Sequence, residues 1–98
     1  MERIMIEKTK EIRERADEYI QKITDMTHGM RTLANYGRPT SYIREMERRI
    51  EYIKEYQEKL IELDARLMAY KGIAIETGNQ KLIELIQDTD DRIQLYIN

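Results

Sequence analysis

Asp25 and His28 stand three residues apart, and His28 is the chain's single histidine. A carboxylate three positions before a histidine is half of the arrangement that di-metal sites in helical bundles use. Such sites need further inward carboxylates and a second histidine. Neither residue falls on the apolar seam of its helix. The pair therefore reads as a surface contact near a helix end, and no metal or cofactor is expected.

"DTDD", Asp88 to Asp91, offers clustered oxygen ligands. A calcium loop of the EF-hand type needs glycine at its sixth position, where this run has Ile93, so the motif fails. Glu84, Asp88 and Asp91 do share one helix face. They read as a solvated acidic face able to dock a basic partner.

The opposite charge gathers between residues 27 and 50, where Arg31, Arg38, Arg44, Arg48 and Arg49 face only Glu45 and Glu47. Arg44 and Arg48 stack at i,i+4 in the first turns of a helix, where the macrodipole disfavours cations. Tyr36 and Tyr42 lie beside them in sequence, and Arg with Tyr is the usual chemistry of interface hot spots. Arg31, Tyr36, Arg38, Tyr42, Arg44, Arg48 and Arg49 are thus the candidate partner-binding residues. A nucleic-acid-binding regulator would use the same basic stretch, 31–49, but no helix-turn-helix spacing or glycine-rich loop accompanies it.

Catalytic residues are not expected. Ser41 is better used as a helix cap, no strand-to-helix elbow surrounds it, and there is no G-x-x-x-x-G-K phosphate loop. With no Cys in the chain, a disulfide, a thiolate metal site and a cysteine nucleophile are all excluded. The lack of Cys fits a cytoplasmic location. No run of about 18 apolar residues predicts a membrane span, and no signal-peptide pattern opens the chain.

The elements that carry these residues follow from periodicity. Met5, Thr9, Ile12, Ala16, Tyr19, Ile23, Met26, Met30 and Leu33 step alternately by four and three, an a/d seam. Ile43, Met46, Ile50, Ile53, Gln57, Leu60, Asp64 and Leu67 repeat it, with charged pairs such as Glu11/Arg15 and Glu45/Arg49 on the outer faces. Charged residues make up 37% of the chain, yet 41% is hydrophobic with neither Val nor Phe. That mixture suits long amphipathic helices, not strands or disorder. An alternative short strand at 73–77 would have no partner.

"YGRPTS" reads as a stop and a start. Gly37 ends the first helix, Pro39 prevents continuation, and Thr40 or Ser41 caps the second. "ETGN" reads as a tighter turn, with Gly78 left-handed and Asn79 capping the third helix. Gly29 fits neither pattern, and a continuous helix through it implies a close approach or a hinge.

The expected fold is therefore all-α. A long antiparallel helical hairpin, about 2–36 and 41–76, carries a shorter third helix, about 80–97, with coiled-coil-like packing in one domain, 1–98. Folding about residue 38 puts Met30 opposite Met46, Ile23 opposite Ile53 and Ala16 opposite Leu60. Tyr19 opposite Gln57 and Ile12 opposite Asp64 are the imperfect layers. The third helix cannot reach the hairpin tip, so something should cover it, and a second copy is the simplest candidate. The functional expectation is a non-enzymatic protein–protein interaction module, an adaptor, regulator or inhibitor, acting as a homodimer. A small inhibitor of the phage or mobile-element type is a further alternative. Residues 73–98 hold five acidic and two basic side chains, so the third helix is acidic and the tip basic.

Overall fold

The computed structural model describes the backbone of residues 2–34 and 39–97 and the side chains of 3–30 and 42–97. Three helices make up almost all of it: α1 (Glu2–Ala34), α2 (Pro39–Thr77) and α3 (Gln80–Ile97). The strand alternative is excluded, because 73–77 is helical. Gly37 and the end of the predicted first helix lie outside the described residues.

The second helix starts two residues earlier than expected. Pro39 occupies its first position, where a fixed φ and a missing N–H cost nothing. Thr40 and Ser41 therefore sit within the first turn and are not the cap. The second turn is built as expected. Gly78 has φ 67°, its N–H donates to the Ile75 carbonyl at 3.2 Å, and the Asn79 N–H donates to the Ala74 carbonyl at 3.1 Å. That pattern is a Schellman ending. Asn79 Oδ1 then accepts from the Leu82 N–H at 3.2 Å and caps α3.

Cross-helix contacts give the directions. Arg49 reaches Met26, and seven residues further along α2, Tyr56 stacks on Tyr19. α2 therefore runs antiparallel to α1, within a residue or two of the register expected for a fold about residue 38. Gln57 meets Tyr96 and Lys71 meets Gln87, so α3 runs antiparallel to α2. Arg13 pairs with Asp88 and Asp17 with Arg92, so α3 runs parallel to α1.

The core fills only the base of this arrangement. Ile12 and Ala16 of α1, Leu60, Leu63 and Leu67 of α2, and Leu82, Ile86 and Ile93 of α3 are buried together. Thr9 and Thr89 are buried beside them, their hydroxyls donating to the Met5 and Leu85 carbonyls at 2.8 Å. That local bond satisfies a polar group that would otherwise cost about 1–3 kcal/mol to bury. Leu63, absent from the predicted seam, takes the place expected for Asp64.

The molecule is a rod of 57 × 19 × 16 Å with a radius of gyration of 17.2 Å. A compact chain of this length would have about 13 Å. The difference comes from the length of the hairpin helices, 33 residues in α1 and 39 in α2, which set the long axis at about 1.5 Å per residue.

Candidate interaction surfaces

α3 ends at Ile97, with Tyr96 beside Ile23, Thr24, Thr27 and His28 of α1 in a small open pocket. The hairpin runs on beyond that point. Along the track that α3 would have continued, α2 presents Ile53, Ile50, Met46 and Ile43. Ile43 is 51% and Ile50 39% exposed, while Ile53 and Met46 are half-buried. The result is a groove with an apolar wall from α2 and a polar wall from Thr24, Thr27 and His28. From Ile53 back to Ile43 it is about 15 Å long at 1.5 Å per residue.

Level with the last turn of α3, the other side of the hairpin is covered without a third helix. Tyr19 and Tyr56 stack with centroids 5.9 Å apart. Lys22 Nζ lies 5.7 Å from the Tyr56 centroid and Lys59 Nζ 5.6 Å from that of Tyr19. The rings and lysine stems cover the seam on that face. This is a correction to the layer expected between Tyr19 and Gln57. Gln57 Nε2 instead donates to the Tyr96 carbonyl at 2.8 Å and ties the end of α3 down.

The basic patch is divided by the structure. The side chains of Arg31, Tyr36 and Arg38 lie outside the described residues. Arg49 faces α1: Nε pairs with Glu45 at 3.1 Å, and Nη1 approaches the Met26 carbonyl at 3.4 Å. A Cβ on Gly29 would collide with this guanidinium. Gly29 is thus the seat on which Arg49 crosses α1, which runs through it unbroken. Arg44 and Arg48 are exposed. At 3.6 residues per turn they sit roughly 140–180° around α2 from Met46 and Ile53. Tyr42, half-buried, lies nearer the apolar wall. The candidate residues therefore do not form one face.

The acidic face is also partly used internally. Asp88 pairs with Arg13 of α1 at 3.2 Å. Glu84 and Asp91 are exposed and accept bonds from Gln80 and Gln87 of their own helix. Asp25 accepts from Gln21 at 2.9 Å, and His28 lines the pocket beside Tyr96. Among the described residues, no group of three or more His, Cys, Asp or Glu side chains comes together to hold a metal.

One titratable pair emerges that spacing did not reveal. Asp64 faces α3, where Gln94 Nε2 donates to its Oδ2 at 3.2 Å and to Asp90 Oδ1 at 3.3 Å. Asp64 Oδ1 is buried and accepts no hydrogen bond. Burial, followed by hydrogen bonding to and repulsion from Asp90, pushes the Asp64 carboxyl up from 3.8 to about 7. The sequence signal was a charged residue on an apolar seam. Its partners became visible only once α3 was placed.

Fold and surfaces define an all-α protein of three packed helices. Among the described residues, no helix is long and apolar enough to cross a membrane. Compared with protein-family models, with curated proteins and with solved structures, the chain matches none.

Proposed function

We propose that this chain is a non-enzymatic protein–protein interaction module, acting as a homodimer, that holds a helical segment of a macromolecular partner in the groove beyond α3. The observation that carries this reading is the mismatch in length. α3 stops beside Thr27, while the apolar side of α2 continues through Ile50 and Ile43. The shape of the occupant follows from continuity. A helix already fills the first half of this track, and an amphipathic helix of about three turns fits the stretch from Ile53 to Ile43. Its apolar side would face Ile43, Met46 and Ile50, and its polar side Thr24, Thr27 and His28. The second copy of the dimer is held on a different face of α2.

The test compares affinity capture from the native host by the wild-type chain and by Ile50→Glu. Ile50 is exposed, so circular dichroism should show the same helix content in both. A partner retained by the wild type, lost by the variant and cross-linked from Ile43→Cys supports the groove. Equal capture by both chains counts against it. Recovered nucleic acid that is lost on replacing Arg44 and Arg48 by Ala would favour the other side of α2 instead.

A further inference from the structure

Gly72 poses a question that the single chain does not answer. It lies inside α2, where glycine is a poor helix former. Unlike Gly29, a Cβ there would meet nothing within 4 Å. Its neighbours on the same outward face are Ile61, Ala65, Met68, Ala69 and Ile75. Ile61 is 52%, Met68 39% and Ile75 59% exposed. This face points away from Leu60, Leu63, Leu67 and Ala74, which α2 turns toward the core. For about four turns it carries no charge, in a chain where 37% of residues are charged.

The spacing is a second heptad seam with a regular size pattern. Ile61, Met68 and Ile75 fall on one heptad position and are large. Ala65 and Gly72 fall on the other and are small. In a parallel pair, like positions meet, so large faces large and small faces small. In an antiparallel pair, unlike positions meet, and every layer sets large against small. The face is thus complementary to a reversed copy of itself, as a two-fold dimer requires.

We propose that the outward face of α2, from Ala65 to Ile75, is the seam of an antiparallel homodimer. This rests on the dimeric part of the function proposed above and not on the groove. The register is fixed by size and charge together. Met68 sits on the second copy's Gly72, and Ile75 on the second copy's Ala65. Sliding the copies by one heptad toward residue 61 keeps large on small, but puts Glu58, seven residues before Ala65, on the seam against the second copy's Ile75. Burying that charge against an apolar side chain disfavours the shifted register. Gly72 is then explained as the seat of an incoming Met68.

The arrangement has a functional consequence. With the two-fold axis near residue 70, the two grooves point to opposite ends of the dimer. Measured between the Met46 positions, they lie about 70 Å apart at 1.5 Å per residue. One dimer would therefore hold two partner helices and link them.

Light scattering at micromolar concentration should give about twice the chain mass of 11.9 kDa. Met68→Glu and Gly72→Leu should each return the mass to one chain with helix content unchanged, because both positions are exposed. Ile50→Glu should stay dimeric. The absence of native cysteine allows a direct test of direction. An equal mixture of Ala65→Cys and Ile75→Cys chains should form a mixed disulfide under mild oxidation, and neither variant alone should cross-link. A monomeric wild type, a dimer that survives Met68→Glu, or cross-linking of Ala65→Cys to itself would each overturn the proposal. If Ile50→Glu dissociates the dimer while Met68→Glu does not, the groove is the dimer surface. The docking reading is judged separately, by whether Ile50→Glu loses its partner.

Discussion

The base of the rod and its far end are built from the same two helices with the same heptad pattern, yet they differ in what covers them. At the base, α3 closes the groove between α1 and α2, and Leu60, Leu67, Ile86 and Ile93 are sealed from solvent. At the far end the same groove is open, and Met46 and Ile53 stay half-buried while Ile43 and Ile50 are exposed. Helix propensity cannot explain the difference, because both ends are helical. Stability in helices comes mainly from packing an apolar face. The base therefore holds the fold, and the end is held by the base.

The largest test of that division compares core truncations. Leu67→Ala at the base removes a fully buried core side chain and should cost about 2–5 kcal/mol. Met46→Ala at the end removes a half-buried one and should cost under about 1 kcal/mol. Urea unfolding of both variants below the dimer dissociation constant checks this. Equal losses would mean the two regions are one cooperative unit with equally tight packing.

How much of this division could be read from the sequence depends on which interactions are periodic. The three helices and the Gly78–Asn79 turn were legible, because apolar spacing and turn chemistry are local, whereas α3 reaches further along α1, to Thr27 and His28, than its length suggested. The antiparallel pairing of α1 with α2 was legible to within a residue or two for the same reason. Leu63 in place of Asp64 was missed, because a strict alternation of three and four drifts from the true 3.6-residue turn. The separation of Arg49 from Arg44 and Arg48 was missed because closeness in sequence was read as closeness on a surface. Arg49 lies at the α1 contact, about 100° around α2 from the exposed Arg48 though only one residue from it. The Asp64–Asp90–Gln94 cluster needed the placement of α3, which no local signal supplies.

That cluster gives the next test, by making the base sensitive to pH and leaving the end indifferent. The folded chain holds a proton on Asp64 up to about pH 7, whereas the unfolded chain releases it near 3.8. Between those values the folded state binds more protons, so stability falls as pH rises. The contribution is fully present below about pH 4 and is lost as pH passes through 7. The urea midpoint should therefore drop between pH 5 and pH 8 in the wild type. Asp64→Asn keeps the shape and cannot ionise, so its midpoint should fall less over the same range. An unchanged slope in the variant would show that Asp64 is ionised in the fold at neutral pH.

The smallest expected effect separates the two interior glycines, one at each region. Replacing a helical glycine by alanine favours the helix by about 1 kcal/mol. At Gly72 nothing in the single chain opposes that gain, since a Cβ there meets open space. Gly72→Ala should therefore raise the stability of the monomer by nearly the full amount. At Gly29 the added methyl must displace the Arg49 guanidinium, which pairs with Glu45 and approaches the Met26 carbonyl. The group that must move is the free end of a flexible side chain, so the cost is only that of partly exposed contacts, up to about 1 kcal/mol. Gain and loss nearly cancel, and Gly29→Ala should leave stability within about 0.5 kcal/mol of the wild type. The two variants, measured by urea unfolding at concentrations where the chain is monomeric, should thus differ although the substitution is the same. If both gain equally, Arg49 contributes nothing by crossing Gly29, and the end of the hairpin is joined by its apolar seam alone. If Gly29→Ala loses well over 1 kcal/mol, the crossing is a rigid joint, and the open end is held more firmly than its exposed side chains imply.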